Sequence, residues 1–167
     1  MSAESELNEF PVRIAVSLPQ PQAWYRRQSG AIAMQGAGAA AFAADALAVW
    51  QDGAIVIVRD EGQLRTHLAA GTTLTPVYAR ESGGRFAVPS GLLFIRFGKG
   101  ALAETRRAEI ERLGYRIDSI PVYAPHTAWL RSLSGSVAMS FGGMEALAEL
   151  EGVERVEPQM IMEAARR

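Results

Sequence analysis

Cysteine is absent from the 167 residues, so disulfides, thiolate nucleophiles and thiolate metal sites are excluded. An excess of charge of one sign is missing too. Seventeen Lys and Arg stand against 18 Asp and Glu, a net charge of −1, which gives no field to attract nucleic acid or an anionic membrane surface. No run reaches the ~18–20 apolar residues of a membrane span. The acidic start MSAESELNEF lacks the apolar stretch of a signal peptide. Only two histidines exist, His67 and His126, and no carboxylates cluster beside them, so no metal site is expected. These absences describe a soluble cytoplasmic protein with no nucleic-acid, membrane or metal partner.

What is present is a mixture of two periodicities. In the first half, PVRIAVSL (11–18) alternates as a strand, and AWYRRQSGAIAMQ (23–35) reads as a hairpin around Ser29-Gly30. The alanine-rich stretch 36–53 has helical propensity, two glycines at its start (Gly36 and Gly38) and no clear stripe. AIVIVR (54–59) is the strongest strand, reached through a turn at Gln51-Asp52-Gly53. A short helix over 61–70 and a strand LTPVYAR (74–80) follow, and Ser82-Gly83-Gly84 marks a domain boundary.

The second half alternates more regularly. GLLFIRFGKG (91–100) is a strand, and LAETRRAEIERLG (102–114) is a helix with Ala103, Ile110 and Leu113 on one side. YRIDSIPVY (115–123) and TAWLRSLSG (127–135) are two strands. GGMEALAELEG (142–152) places Met144, Leu147 and Leu150 at helical spacing, and VERVEP (153–158) is a final strand. The order β-α-β-β-α-β predicts an α+β fold. Its C-terminal part is a ferredoxin-like unit over 85–158, an antiparallel sheet with two helices on one face, preceded by a smaller strand-rich subdomain over 1–84. One tetrapeptide occurs in both halves. Pro76-Val77-Tyr78-Ala79 is repeated as Pro121-Val122-Tyr123-Ala124, and degenerate duplication and coincidence both remain open.

FIRFGKG, the helix ending in Leu113-Gly114, the strand pair ending in WLRSL and the close EALAELEGVERVEP together resemble the propeptide domains of subtilisin-like serine proteases. Gly152-Val153, Val156-Glu157-Pro158 is the most specific part; Gly98-Lys99 departs from the Lys-Pro of the family pattern. The resemblance covers the C-terminal half and implies a stand-alone inhibitor, and folding chaperone, of a subtilisin-like protease, in the cytoplasm or exported with its partner. In that family the segment after the last strand lies in the substrate cleft by strand addition. The matching segment here is 159–167, with Met160, Ile161, Met162, Glu163, Ala164, Ala165, Arg166 and Arg167 as the protease-binding tail. Sheet-face contacts would involve Trp129 and Arg131, and Asp118 would cap a helix on the partner.

No residue is expected to be catalytic and no cofactor is expected. The subtilase catalytic signatures are missing, and Asp60 with His67 and the many serines lacks any strained nucleophile turn. GAGAAA (36–41) matches the G-x-G-x-x-A dinucleotide fingerprint, but the preceding strand is short and the chain has too few β-α units for a Rossmann domain. The alternating charges of 104–112 read as a solvated helix face. The alternative function is a small regulatory binding module acting on a ligand or as a homodimer.

Overall fold

The computed structural model describes residues 3–61 and 68–163. Its elements run α1 (Ala3–Asn8), β1 (Arg13–Ala15), β2 (Trp24–Gln35), β3 (Ala48–Trp50), β4 (Ile55–Arg59), β5 (Thr73–Arg80) and β6 (Ala87–Phe97). Then come α2 (Arg107–Arg112), β7 (Tyr115–Ser119), β8 (Thr127–Ser132), α3 (Val137–Gly142), α4 (Met144–Ala148) and β9 (Val153–Met162). Two units divide the chain, one of Met1–Val12, Arg26–Pro89 and Ile161–Arg167, the other of Arg13–Tyr25 and Ser90–Met160.

The first unit is built on the run 55–58, which is buried on both faces of β4. Ile55 and Ile57 join Ala31, Ala33, Trp50, Val77 and Val88 in one cluster. Val56 and Val58 join Met34 and Ala39 in another, with Phe42, Leu68 and Leu74 against it. A strand with two dry faces needs an unbroken apolar run, which is why the sequence does not alternate here. β4 pairs antiparallel with β2, Ala31 to Arg59 through Gln35 to Ile55, and with β3, Trp50 to Ile55. The turn expected at Gln51–Gly53 joins β3 to β4, with Gln51 and Asp52 both at positive φ.

The hairpin expected over 23–35 is instead the single twelve-residue strand β2. A two-residue hairpin turn of the Asn-Gly kind needs positive φ at both central residues. At Ser29-Gly30 only Gly30 has it, at +84°, and the strand runs on through both residues. The alanine-rich stretch forms a 3-10 turn over Ala39–Asp45 rather than an α-helix. The helix expected over 61–70 falls largely outside the described residues.

In the second unit the hydrogen-bonded strand order is β9-β6-β8-β7. β6 and β8 are antiparallel, Leu93 opposite Leu130 and Phe94 opposite Trp129. β7 and β8 pair Tyr115 with Ser132 and Ile117 with Leu130, with an irregularity between Ile117 and Ser119. β9 runs against β6, with Gly98 N–H donating to Gly152 O at 3.0 Å and Arg96 meeting Glu154 near one end, and Ser90 meeting Gln159 near the other. One sheet face is dry: Leu93, Ile95 and Phe97 of β6 and Leu130 of β8 are fully buried, as are Ile110 of α2 and Leu147 of α4. Each such aliphatic side chain contributes roughly 1.5–3 kcal/mol by leaving water. The helical layer lies on this side: the Arg106 guanidinium stacks 4.8 Å from the Phe97 ring centroid, and Tyr115 Oη donates to Ser140 O of α3 at 2.6 Å.

The fold class requires correction. The strands join in a nine-stranded, largely antiparallel sheet, and the chain is 42% strand and 22% helical, a β-rich fold rather than an α+β fold with a ferredoxin-like C-terminal domain. Two physical reasons account for the difference. β6 begins at Ala87, four residues before the strand read from sequence, and that early part pairs with β5 through Tyr78 and Ala87, which adds to the sheet. The helical patterns also yield short pieces. The run 102–114 opens as a 3-10 turn at Ala103–Arg106 before the six-residue α2, and the run 142–152 gives only the five-residue α4. α3, which the sequence reading missed, is announced by Ser136, whose Oγ accepts from Met139 N–H in a standard N-cap.

Candidate protein-docking face

Period-2 alternation on β6 sends Leu92, Phe94 and Arg96 to the face opposite the buried Leu93, Ile95 and Phe97. On β8 the same alternation puts Trp129 and Arg131 on that outer face, away from Ala128 and Leu130. Register then brings Phe94 beside Trp129, with ring centroids 5.3 Å apart and planes tilted by 59°. A tilted pair at that distance has the favoured edge-to-face character, worth about 0.5–1.5 kcal/mol beyond area burial. Both rings are only half-buried.

Ion pairs flank the rings. Arg131 Nε donates to Asp118 Oδ1 at 3.0 Å, across the β7–β8 pair. Arg96 Nε donates to Glu154 Oε2 at 3.1 Å, across the β6–β9 pair. All four side chains are partly exposed, so the pairs add little to stability, about 0–1 kcal/mol each. Their effect is on the face itself. The aromatic pair is bordered on two sides by charges whose positions are set by cross-strand partners. An apolar centre with a polar rim is the anatomy of a protein-binding surface.

The structure therefore brings Asp118, Trp129 and Arg131 onto one face, and adds Leu92, Phe94, Arg96 and Glu154, which sequence reasoning did not single out. Period-2 alternation within FIRF was the signal that could have found Phe94. Asp118 already has Arg131 as its partner, so its carboxylate is not idle.

The tail residues are placed differently. Met160, Ile161 and Met162 belong to β9, which continues four residues past Pro158. Ile161 packs on the cluster of Ala31, Ala33 and Ile57. Met162 is 48% exposed, and Glu163 follows the strand end, exposed. Ala164, Ala165, Arg166 and Arg167 lie outside the described residues.

The remaining sequence candidates have structural explanations or lie out of reach. In GAGAAA a Cβ on Gly36 would run into the carbonyl oxygen of Gly71, and one on Gly38 into Thr72 Oγ1, so both glycines answer to close packing against 71–72. His67 is outside the described residues, and His126 uses its backbone oxygen to accept from Phe97 N–H at 2.8 Å. Among the described residues no group of three His, Cys, Asp or Glu could hold a metal ion, and no helix is long and apolar enough to cross a membrane. Burial pushes the hydroxyls of Tyr78 and Tyr115 above the ordinary tyrosine range, and both serve as hydrogen-bond donors to backbone oxygens.

No protein-family model matches the chain, and neither a curated protein nor a solved structure matches it.

Proposed function

We propose that this chain is a non-catalytic protein-binding module that engages a subtilisin-like serine protease through its Phe94–Trp129 face, inhibiting the enzyme and assisting its folding. The observation that carries the reading is the solvent-facing aromatic pair set between the Arg131–Asp118 and Arg96–Glu154 ion pairs. The likeness of FIRFGKG and GVERVEP to protease propeptides supplies the identity of the partner. Aromatic and arginine side chains are the commonest energetic anchors of protein interfaces, and here both types stand on a hydrogen-bonded sheet that needs no rearrangement to present them.

The inhibitory arm is the segment after β9, which would pair with the protease as an added strand and leave alternate side chains for pockets. Of the segment 159–167 that the propeptide likeness points to, Gln159 to Met162 belong to β9 and Ile161 packs against the core cluster.

The test is an inhibition assay of purified chain against a panel of subtilisin-like proteases, with a Trp129→Ala variant and a chain lacking 163–167. Competitive inhibition is expected, weakened about 10- to 100-fold by Trp129→Ala and abolished in the shortened chain, which still binds. Absence of binding and inhibition at micromolar concentration would remove the reading. A stable homodimer whose formation Trp129→Ala prevents would replace it with self-association through the same face.

A further inference from the structure

The strand order ends at β7, Tyr115–Ser119, so this strand is an edge of the sheet. Leu133 N–H donates to Gly114 O at 2.9 Å, which makes Gly114 and Leu133 a hydrogen-bonded pair. Antiparallel ladders alternate, so Arg116 and Arg131 are the next such pair, and Tyr115 and Ile117 turn their backbone N–H and C=O groups away from β8. Outside the β7–β8 ladder, no hydrogen bond among the described residues reaches those backbone groups. Charge on this edge is unbalanced. Arg116 stands directly opposite Arg131, and like charges in that position are destabilising. The carboxylate of the strand, Asp118, gives Oδ1 to Arg131 Nε at 3.0 Å. Arg116 is exposed and has no carboxylate partner among the described residues, and Asp118 Oδ2 has no partner among them either.

We propose that β7 pairs antiparallel with β7 of a second copy of this chain, about a two-fold axis through Ile117. The run Arg116-Ile117-Asp118 is self-complementary about its centre. In this register the two Ile117 residues exchange both of their outward backbone hydrogen bonds. The partner's Asp118 then stands opposite Arg116 at a non-hydrogen-bonded position, where Cα atoms are about 4.5 Å apart and side chains are closest. Each Asp118 serves Arg131 of its own chain through Oδ1 and Arg116 of the other through Oδ2. Ile117, half-buried and on the same face as the buried Leu130, meets its symmetry mate there. The two nearest registers that keep the faces aligned fail on charge: one sets Arg116 against Arg116, the other Asp118 against Asp118. Charged edges ordinarily keep strands apart; this edge repels the wrong registers and admits one. An unrelated peptide is the poorer occupant, because an acid opposite Arg116 and a base opposite Asp118 are what the two-fold supplies by symmetry. The axis uses up β7 of both copies, so assembly stops at two. The irregularity between Ile117 and Ser119 ends the regular edge, so the interface is short and the dimer weak and reversible. The pairing needs no protease and stands apart from the reading of the aromatic face.

The experiment is sedimentation velocity of the full chain at low salt, from about 1 µM to about 1 mM. It compares the wild type with Arg116→Asp, Asp118→Arg, the double exchange Arg116→Asp/Asp118→Arg, and Trp129→Ala. The wild type is expected to reach a dimer and no larger species. Each single reversal opposes like charges twice across the axis and should weaken dimerisation about tenfold or more. Thermal midpoints should change little, since both side chains are exposed. The double exchange restores opposite charges and should dimerise within about threefold of wild type. An equimolar mixture of the two single variants should give a heterodimer, because the reversals complement each other across the axis. Trp129→Ala should dimerise as the wild type does. A wild type that stays monomeric at about 1 mM would overturn the pairing. So would single reversals that dimerise like wild type, a mixture that yields no heterodimer, or growth beyond two copies. Loss of the dimer in Trp129→Ala with both single reversals unaffected would move the contact to the aromatic face and overturn the edge pairing as well.

Discussion

Two stretches of this chain spell the same tetrapeptide, Pro-Val-Tyr-Ala, and meet opposite fates. At 76–79 it lies in β5, where Val77 and Tyr78 are both 0% exposed. At 121–124 it is a turn, with Val122 at 97% and Tyr123 at 91%. Tyr78 Oη donates to Pro11 O at 2.6 Å, and Val77 packs with Ile55 and Ile57. Hydrophobicity and β-propensity are identical in the two copies, so neither can be the cause of the difference. The flanks are. Arg80 follows the first copy and lets the strand continue, whereas Pro125 follows the second. A proline there removes a ladder donor and restricts Ala124 before it, and with Pro121 four residues earlier no regular strand can pass through. β7 accordingly stops at Ser119, short of the Tyr123 expected from β-propensity.

The largest test of this contrast is Tyr78→Ala. Removing a fully buried ring should cost about 3–5 kcal/mol, measured by chemical denaturation, and a loss under about 1 kcal/mol would show that the first copy is not the packed one. Tyr78→Phe should cost less, about 1–2 kcal/mol, by leaving Pro11 O without its donor.

The same hydroxyl adds a pH dependence. Burial raises the Tyr78 pKa, with Arg27 opposing it weakly, so the folded state holds the proton more tightly than the unfolded chain does. Its contribution is present in full below the ordinary tyrosine value of 10.0 and is lost as pH rises above it, because only the unfolded chain then ionises readily. Stability should therefore fall on the alkaline side, with a shallower slope in Tyr78→Phe. Tyr115, shifted the same way by burial, contributes in the same sense. An unchanged slope in Tyr78→Phe would count against the shift. The smallest effect belongs to Tyr123→Ala, which should alter stability by no more than about 0.5 kcal/mol. A larger loss would mean that the exposed copy has packing partners in solution.

The wider gap between sequence and structure has the same origin. The strands 54–59, 74–80, 91–100 and 127–135 were legible because each is a dense apolar or alternating run, and the Gln51–Gly53 turn because glycine and aspartate tolerate positive φ. Of the candidate face, Trp129, Arg131 and Asp118 could be named in advance. Their association with Phe94 and Glu154 depends on pairings between strands 35 and 58 residues apart, which no window of sequence contains. The end of the last strand was placed too early for a comparable reason. Pro158 looks like a strand end, yet β9 runs on to Met162, where Gln159 accepts from Ser90 Oγ at 2.8 Å and Ile161 finds the core.

Local chemistry alone settles the turns, the caps and the dry runs of this protein: Ser136 starts α3, Pro121 and Pro125 end β7, and the 55–58 run must be buried on both faces. Long-range pairing settles everything that distinguishes one apolar stretch from another, including which Pro-Val-Tyr-Ala is core and which is surface. A side chain's burial depends on the surface that arrives to cover it, and that surface is supplied by residues far away in the chain.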